Sequence, residues 1–460
     1  MPRPLLALAA VLAAYAVIAF LLVPANTLTG FPVHHDDFRN LSWIHPTLPE
    51  PARPVSGFLL TLLSSFGIPT YYIALHALVV AYAALVIAAL ARLFHLRPAP
   101  PALAFAAALA LLSVETMVEF SKYTGLITGL LSGVTGAAAV ALLLSRPSRP
   151  ATLAGAIALT ALSGFSKEDF LLPILITATL LAWEQRDRRS IALLGAIGLL
   201  TAAVFAYNRS VSAVYTSGAS QFYRQDFRLS SIAMVAEQYL LTSRGAAIAA
   251  LLQLATLTWN VIAARPIPWP RMLAFHAIAT SIALPYLCLP GHTAPYYVFH
   301  WAPWQLAGGI LVLWKLRPGI PAAAAIAALV LCSIALTQST RRSIVEWYRT
   351  NQTVNRNIVR TLEANRALIA PHPTAAVEGA PPLSPWFATS GEFLVNRFGF
   401  PNRWLIRTPL DGSFAREFQA RAGSLTMGRN TVVPLDSELP PGVPVVKLAP
   451  GGNGTASAAR

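Results

Sequence analysis

Charged side chains are scarce in this chain of 460 residues, and acidic side chains are scarcer still. Asp, Glu, Lys and Arg make up 12% of the sequence, whereas soluble domains carry about 25%. Only 19 residues are acidic, while hydrophobic residues account for 55%. This composition excludes an ordinary soluble globular protein and predicts a polytopic membrane protein, because it offers too few charges to cover a water-facing surface.

Cysteine is nearly absent too, with two residues in the whole chain. Cys288 and Cys332 both lie within apolar runs, which excludes a disulfide framework and a thiolate metal site. The net charge of +15 does not indicate nucleic acid as a partner, because the arginines form no basic stripe. They lie in short loops between apolar segments, as topology signals do, and in the C-terminal tail.

Apolar runs predict about eleven transmembrane helices, although several runs are shorter than the roughly 20 residues that span a bilayer. The first run is longer than the apolar core of a signal peptide, which has about 7–15 residues, so we expect it to remain as a helix. The predicted spans are approximately 5–23, 68–92, 101–113, 124–145, 151–164, 169–184, 190–207, 244–263, 272–289, 300–316 and 320–338.

Basic residues decide the predicted orientation. Every loop on the side of Arg3 carries Arg or Lys, which predicts that this side is cytoplasmic. The expected location is a bacterial inner membrane. The basic residues of these loops are Arg92, Arg97, Arg146, Arg149, Arg186, Arg188, Arg189, Arg265, Arg271, Lys315 and Arg317. The outer loops are then residues 24–67, 208–243 and 290–300. Ser230–Leu241 has the pattern of an amphipathic helix lying in the membrane interface.

The chain after the last span is predicted to form a small outer region. An extracytoplasmic helix over 339–370 is followed by a Pro- and Gly-rich domain over 371–450, and residues 451–460 have the composition of a disordered tail. The β-like runs of this domain are Thr431–Val433 and Val443–Leu448. The predicted fold class is therefore an all-α polytopic membrane protein over 1–338, with a small α/β extracytoplasmic C-terminal region.

The acidic residues of the spanning part concentrate at the predicted outer face. Glu184 and Asp187 lie in an inner loop; the acids at outer ends or in outer loops are Asp36, Asp37, Glu50, Glu115, Glu119, Glu168, Asp169, Asp226 and Glu237. A transporter would hold ionisable groups near the midplane instead. The alternative is that loops are simply where charges are tolerated.

Two adjacent acids, Asp36 and Asp37, stand in the first outer loop in the sequence His-His-Asp-Asp-Phe. A carboxylate just above the hydrocarbon region can act as general base for an acceptor hydroxyl. Its neighbour can orient it, raise its pKa by repulsion, or join it in binding a divalent metal. The alternative is a pair of solvated turn residues or a helix N-cap. His35 is a weaker candidate for substrate or metal, with interfacial packing as its alternative.

Lys167, Glu168 and Asp169 form a second cluster, which is predicted to lie between two spans at the outer face. Lysine stands out in a chain whose cations are nearly all Arg, and a cation here can stabilise charge on a phosphate leaving group. The alternative is an internally neutralised helix start that Ser166 caps.

A third cluster lies between Glu115 and Thr124. Glu115 and Glu119 share a helical face, and Lys122 is within reach of Glu119. A local ion pair is therefore the alternative to a substrate-binding role for these residues and Tyr123.

Single residues of the outer loops complete the set of candidates. Arg53, Arg224 and Arg228 are suited to holding a phosphate, or they are solvated. His292 and His300 are candidates to line the same outer cavity.

The order of these motifs resembles that of the GT-C superfamily of integral-membrane glycosyltransferases, and in particular its protein O-mannosyltransferase-like branch. The resemblance covers residues 1–338 and rests on His35-Asp36-Asp37-Phe38, Arg53-Pro54-Val55, Glu115 to Thr124, and Ser166-Lys167-Glu168-Asp169. The chain departs from the family pattern at Phe120 and Lys122, where relatives often have Trp and Arg.

The resemblance implies a polyprenyl-phosphate-linked sugar as donor, and a glycan, lipid or protein hydroxyl as acceptor, in contact with membrane lipid. It implies that Asp36 or Asp37 is the catalytic base, with Asp36 slightly favoured, and that the anomeric configuration inverts. The residues that would hold the donor phosphate are Arg53, Lys167, Arg224 and Arg228. The residues that would bind substrate are His35, Glu115, Glu119, Lys122, Tyr123, Glu168, Asp169, His292 and His300. A divalent metal on the two aspartates is compatible with the motif.

Two functions of other classes stay open at the level of the sequence. A transporter or flippase of lipid-linked sugars would keep its activity without the two aspartates. A non-catalytic membrane scaffold would depend on the C-terminal region instead.

Overall fold

The computed structural model describes residues 3–33, 53–96, 100–123, 126–145, 149–211, 225–262, 267–290, 300–316, 318–379, 386–408, 426–427, 429–448 and 454–458. The protein is mostly helical, with one small sheet near the C-terminus.

Each predicted apolar run coincides with a helix. In chain order the helices up to the sheet are α1 Arg3–Ala16, continued by a π-helical turn Val17–Leu21, α2 Pro54–Ser65, α3 Ile68–Leu93, α4 Pro101–Ser113, α5 Thr116–Glu119, α6 Ile127–Leu143, α7 Pro150–Ser166, α8 Leu171–Gln185, α9 Arg188–Val211, α10 Leu229–Thr242, α11 Arg244–Ile262, α12 Trp269–Leu287, α13 Trp301–Leu316, α14 Ile320–Ala364 and α15 Arg366–Ile369. Five of these helices are long and apolar enough to cross a membrane: α1 with its π-helical turn, α3, α9, α11 and α14. The full number of eleven spans stays a prediction.

Helix α2 was not predicted, because it lies in the Pro-rich segment that the sequence indicates as an outer loop. Pro54 occupies its first turn, a position where proline is well tolerated. The helix is 12 residues long, and Phe58, Leu62 and Phe66 are exposed along it at intervals of four residues. The helix predicted over Ser230–Leu241 is present as α10, and its position in the membrane interface stays a prediction.

Glycines on α6 allow close packing at one end of the bundle. A Cβ atom on Gly136 would lie 2.3 Å from the Phe170 side chain, and one on Gly133 would lie 2.3 Å from His300 Cε1. Small residues let neighbouring elements approach the helix backbone in this way. The residues just before α8 and α13 are therefore held against α6.

Three loops that are predicted to be cytoplasmic meet at the opposite end of the bundle. The Arg271 guanidinium, at the start of α12, contacts Glu184 near the end of α8 with N–O distances of 2.7 and 2.6 Å. Its Nη1 atom also donates a hydrogen bond of 2.8 Å to the carbonyl of Leu93, at the end of α3. The ends of three helices are joined by one guanidinium, while the orientation of these loops in the membrane stays a prediction.

Helix α14 is one continuous helix of 45 residues. The sequence predicts a span over 320–338 and a separate outer helix over 339–370, whereas the structure shows no break until Ala364. At 1.5 Å per residue such a helix is about 68 Å long, more than twice the roughly 30 Å of the hydrocarbon layer. The helix therefore extends well beyond the bundle and reaches the sheet.

The C-terminal residues form a six-stranded sheet in the order β3-β4-β2-β1-β5-β6. The strands are β1 Thr374–Glu378, β2 Arg403–Thr408, β3 Thr426–Met427, β4 Asn430–Pro434, β5 Pro444–Leu448 and β6 Gly454–Ala458, and α16 Trp386–Phe398 lies between β1 and β2. The four central strands are parallel and the two edge strands are antiparallel.

The prediction of a disordered tail over 451–460 is wrong for Gly454–Ala458, which forms strand β6. These residues are small and polar, so their composition indicated disorder. Pairing with β5 satisfies the backbone groups on the side of β6 that faces it, which composition does not reveal. The two predicted β-like runs coincide with β4 and β5.

We expect the Arg271→Met substitution to destabilise the protein. The side chain is 10% exposed, and its loss leaves the Glu184 carboxylate and the Leu93 carbonyl without their partner. Removing one member of a fully buried ion pair costs about 3–5 kcal/mol, and the cost here is smaller because the Glu184 side chain is 26% exposed and water reaches its carboxylate. Thermal unfolding in detergent measures this, with Arg349→Met as the control, because Arg349 forms an ion pair with Glu346 that is more than half exposed. Equal melting temperatures for the two variants would contradict the assignment.

Candidate active site

Five of the predicted site residues lie outside the described residues: His35, Asp36, Asp37, Arg224 and His292. The predicted metal on the two aspartates lies outside them as well. Among the residues that the structure does describe, no group of three or more His, Cys, Asp or Glu side chains is arranged to hold a metal ion. The site is therefore built here from the remaining candidates.

The backbone at Lys167 turns from α7 into α8. Helix α7 ends at Ser166, Lys167 is extended, and one 3-10 turn over Glu168–Phe170 leads into the next helix. The Ser132 hydroxyl of α6 donates a hydrogen bond of 2.6 Å to the Lys167 carbonyl. The Ser166 hydroxyl donates to the carbonyl of Leu162, so the predicted Ser166 cap of a helix start is not formed. This turn fixes three ionisable side chains at one end of the bundle.

Lys167, Asp169 and Tyr286 form a closed network of polar contacts. The Lys167 ammonium lies 3.1 Å from Asp169 Oδ2 and donates a hydrogen bond of 2.5 Å to the Tyr286 hydroxyl. The Tyr286 hydroxyl in turn donates to Asp169 Oδ1. The Lys167 side chain is 15% exposed and that of Asp169 is 6% exposed. Burial lowers the pKa of Lys167, while the charge of Asp169 opposes this shift and that of Arg53 adds to it.

Tyr286 was not predicted as a site residue. It stands near the end of α12, 117 positions after Asp169, inside an apolar run. A tyrosine in such a run has no local partner that marks it as functional. The only hint in the sequence is its position at a predicted outer end.

Arg53 and Glu168 lie beside this network. The Ser56 hydroxyl donates 3.3 Å to the carbonyl of Ser166, which brings the start of α2 next to Lys167. Glu168 accepts a hydrogen bond of 2.6 Å from the Asn208 amide of α9. The structure thus brings Arg53, Lys167, Glu168 and Asp169 together from two distant segments.

His300 is buried at the same end, with 1% of its surface exposed. Its Nε2 atom lies 2.9 Å from the carbonyl of Gly129, and its ring packs against Phe170 and Tyr82 with centroid distances of 5.0 and 4.9 Å. The Phe120 ring lies 6.1 Å away on another side. His300 therefore connects the Lys167 network with the 115–123 segment.

The predicted ion pair between Glu119 and Lys122 is not formed. The Lys122 ammonium instead donates a hydrogen bond to the carbonyl of Thr27, just after the first helix. Lys122 is 3% exposed, and burial lowers its pKa to about 8. Tyr123 contributes its backbone N–H to the carbonyl of Glu119. Lys122 is thus turned towards the start of the first outer loop.

Glu115 and Glu119 are both held in low-dielectric surroundings. Glu115 accepts a hydrogen bond of 3.2 Å from the backbone N–H of Gly245, at the start of α11, and is 3% exposed. Glu119 Oε2 is buried without a hydrogen-bond partner among the described residues. Burial, followed by the charge of Glu115, raises the pKa of Glu119 to about 7.

Arg228 is placed at the same end of α12 but not in the network. Its guanidinium forms a bidentate pair with Asp226, in which Nε donates to Oδ1 at 3.0 Å and Nη2 donates to Oδ2 at 2.6 Å, and its side chain is 78% exposed. The backbone N–H of Asp226 donates to the carbonyl of Cys288, two residues beyond Tyr286. Arg228 therefore lies near the end of α12 that carries Tyr286, but its charge is already paired with Asp226 at the surface.

No protein-family model and no curated protein matches the chain. Two solved structures of ArnT from Cupriavidus metallidurans are similar in fold, each covering 95% of this chain and 92% of that one. The apo structure has 13% sequence identity and a TM-score of 0.49. The structure bound to undecaprenyl phosphate has 14% identity and a TM-score of 0.50.

Likeness at this identity concerns the fold alone. The chain shares the overall fold of the ArnT structure that is bound to undecaprenyl phosphate. The protein O-mannosyltransferase-like branch stays a prediction.

We expect Glu119→Gln to make the protein more stable than wild type at pH 8 and equally stable near pH 4.5. The folded-state pKa of about 7 lies above the ordinary value of 4.5. The folded protein therefore keeps a proton that the unfolded chain loses, and stability falls as the pH rises through this window, by at most about 1.4 kcal/mol per pH unit.

Melting temperatures in detergent between pH 4.5 and pH 8 test this expectation. Glu363→Gln is the matched control, because Glu363 is exposed on α14. A gap between Glu119→Gln and wild type that is independent of pH would contradict it.

Proposed function

We propose that this protein is a membrane glycosyltransferase that moves a sugar from a polyprenyl-phosphate donor to an acceptor hydroxyl at the extracytoplasmic face. The observation that carries the proposal is a buried lysine, Lys167, held by Asp169 and Tyr286 beside Arg53, in a chain whose fold resembles that of ArnT. Undecaprenyl phosphate, which is bound in one ArnT structure, is a lipid of the donor class that the motifs imply.

Lys167 and Arg53 are suited to a departing phosphate. As the bond between the anomeric carbon and the phosphate oxygen breaks, negative charge grows on that oxygen. A cation held in place in a site with little water stabilises this charge far more than a solvated one does. Asp169 and Tyr286 keep Lys167 in position before the donor arrives, so little reorganisation is required.

Asp36 or Asp37 is proposed as the general base. The carboxylate takes the proton of the acceptor hydroxyl as its oxygen attacks the anomeric carbon, and the phosphate leaves from the opposite side with the bonding electron pair. One base and one attacking oxygen give inversion, without a covalent sugar intermediate. The described segment that precedes the two aspartates ends at Val33, which is buried and only three residues before Asp36.

The acceptor in this proposal is a glycan, a lipid or a protein hydroxyl in the envelope of a bacterial cell. The other candidate residues keep their proposed roles in binding the two substrates. They are Glu115, Glu119, Lys122, Tyr123, Glu168, Arg228 and His300, and, outside the described residues, His35, Arg224 and His292.

We expect Asp36→Asn or Asp37→Asn to lower the transfer rate at least about 100-fold, since a positioned general base contributes roughly 10²–10⁴. The assay is transfer from synthetic polyprenyl-phosphate sugars by purified protein in nanodiscs. Asp187→Asn is the control, because that residue is exposed and lies in a predicted cytoplasmic loop. Wild-type protein that translocates the lipid but transfers no sugar from any donor would contradict the proposal and support a flippase.

We expect Lys167→Met to lower the transfer rate about 10²–10³-fold, the usual effect of losing one electrostatic contact to a developing oxyanion. The single variant leaves Asp169 without its cation, so the double variant Lys167→Met with Asp169→Asn separates folding from function: it should restore stability and not activity. Lys447→Met, on the exposed surface of the sheet, is the control. A double variant with wild-type rates would show that Lys167 does not act on the phosphate.

A further inference from the structure

Residues 30–33, which come shortly before Asp36 and Asp37 in the first outer loop, lie along the second half of α14. The Asn355 amide donates a hydrogen bond of 2.8 Å to the carbonyl of Pro32. A Cβ atom on Gly30 would lie 2.8 Å from the Tyr72 ring and 2.9 Å from Gln352 Nε2. The backbone of residues 30–32 is therefore in direct contact with both α3 and α14.

Phe31 connects the same segment to the C-terminal region. Its side chain is 7% exposed and meets Phe393 of α16 edge to face, with ring centroids 6.1 Å apart. The Arg356 guanidinium lies 5.7 Å from the Phe31 ring centroid. Ring pairs and cation–ring contacts of this kind add specific geometry to the apolar contact.

The other side of the loop is held by the same region. Helix α2 begins at Pro54, in the second half of the predicted loop 24–67, and its Leu60 side chain is 2% exposed in one apolar cluster with Phe31 and Phe393. The Arg397 guanidinium at the end of α16 donates to the carbonyl of Ser64. Both described flanks of the loop, residues 30–33 and α2, thus contact α14 or α16.

We propose that the C-terminal region positions the first outer loop for catalysis, with Asn355 and Phe393 as positioning residues. This inference rests on the proposed function, in which the loop carries the general base. It assigns the residues after 338 a role inside the reaction of the transmembrane bundle, instead of a separate binding activity.

The chemistry of Asn355 distinguishes positioning from simple packing. Its side chain is 3% exposed, and its amide donates a hydrogen bond to the backbone carbonyl of Pro32, 323 residues away in the sequence. Apolar packing alone requires only a side chain of similar volume. A directional hydrogen bond instead fixes where the Pro32 backbone lies, and catalysis is sensitive to displacements of about 1 Å, which can cost 10²-fold in rate.

The test is Asn355→Leu, which keeps the number and branching of the side-chain heavy atoms and removes the donor. The matched control is Asn351→Leu, one turn away on α14, because the Asn351 amide donates within its own helix to the carbonyl of Trp347. Both variants are prepared as full-length protein in nanodiscs. Transfer kinetics and hydrogen–deuterium exchange over residues 28–33 are measured beside wild type.

We expect Asn355→Leu to lower kcat about 10- to 100-fold, to leave the KM for the donor lipid within about twofold, and to speed exchange over residues 28–33. Asn351→Leu should match wild type in all three. Unchanged exchange, or faster exchange with an unchanged kcat, would overturn the inference. If wild-type protein transfers no sugar from any donor, the proposed function fails, and the catalytic role of this contact fails with it. The exchange data then test only whether Asn355 holds residues 28–33 in place.

Discussion

A charge buried in an apolar helix bundle needs an opposite charge or several dipoles beside it, since taking an unpaired ion out of water costs several kcal/mol. Lys167 meets this constraint through Asp169 and Tyr286, and the three side chains come from the α7–α8 turn and from α12. Arg271 meets it at the other end of the bundle through Glu184 and the end of α3. Each buried cation therefore ties together helix ends that are far apart in sequence, and these contacts hold the two ends of the bundle in place.

The same constraint shapes what the site can do. Asp169 neutralises Lys167, and this makes a buried lysine tolerable. Arg53 adds a second cation close enough to lower the pKa of Lys167. In the proposed function, an incoming phosphate meets two cations, Lys167 and Arg53, which the acids Asp169 and Glu168 balance, and the lysine position is set by hydrogen bonds as well as by charge. The ordinary outcome for a local Lys-x-Asp sequence is a solvated pair, and burial by α6, α12 and His300 is what separates this case from it.

The sequence allowed the apolar helices to be predicted because hydropathy depends on each segment alone. The basic loops likewise predicted the orientation of the helices, which stays a prediction. Contacts between segments could not be predicted in this way. Tyr286 gave no local signal in the sequence. Lys122 contacts Thr27 instead of the nearby Glu119. Strand β6 forms because it pairs with β5, which its composition does not indicate. Helix α2 was missed because a short amphipathic helix in a Pro-rich segment resembles a loop when only composition is considered.

Helix α14 explains how a sheet at the end of the chain is held at a fixed distance from the bundle. Its buried positions follow one face, at intervals of three or four residues: Arg341, Val345, Tyr348, Gln352, Asn355, Ile358, Val359 and Leu362. Arg341 on this face donates to Ser113 in the bundle, Asn355 donates to Pro32, and Leu362 packs in the cluster of the sheet. The 14 residues from Arg341 to Asn355 span about 21 Å of helix. Because a continuous helix resists bending over this length, the bundle, the start of the first outer loop and the sheet keep their spacing as one unit.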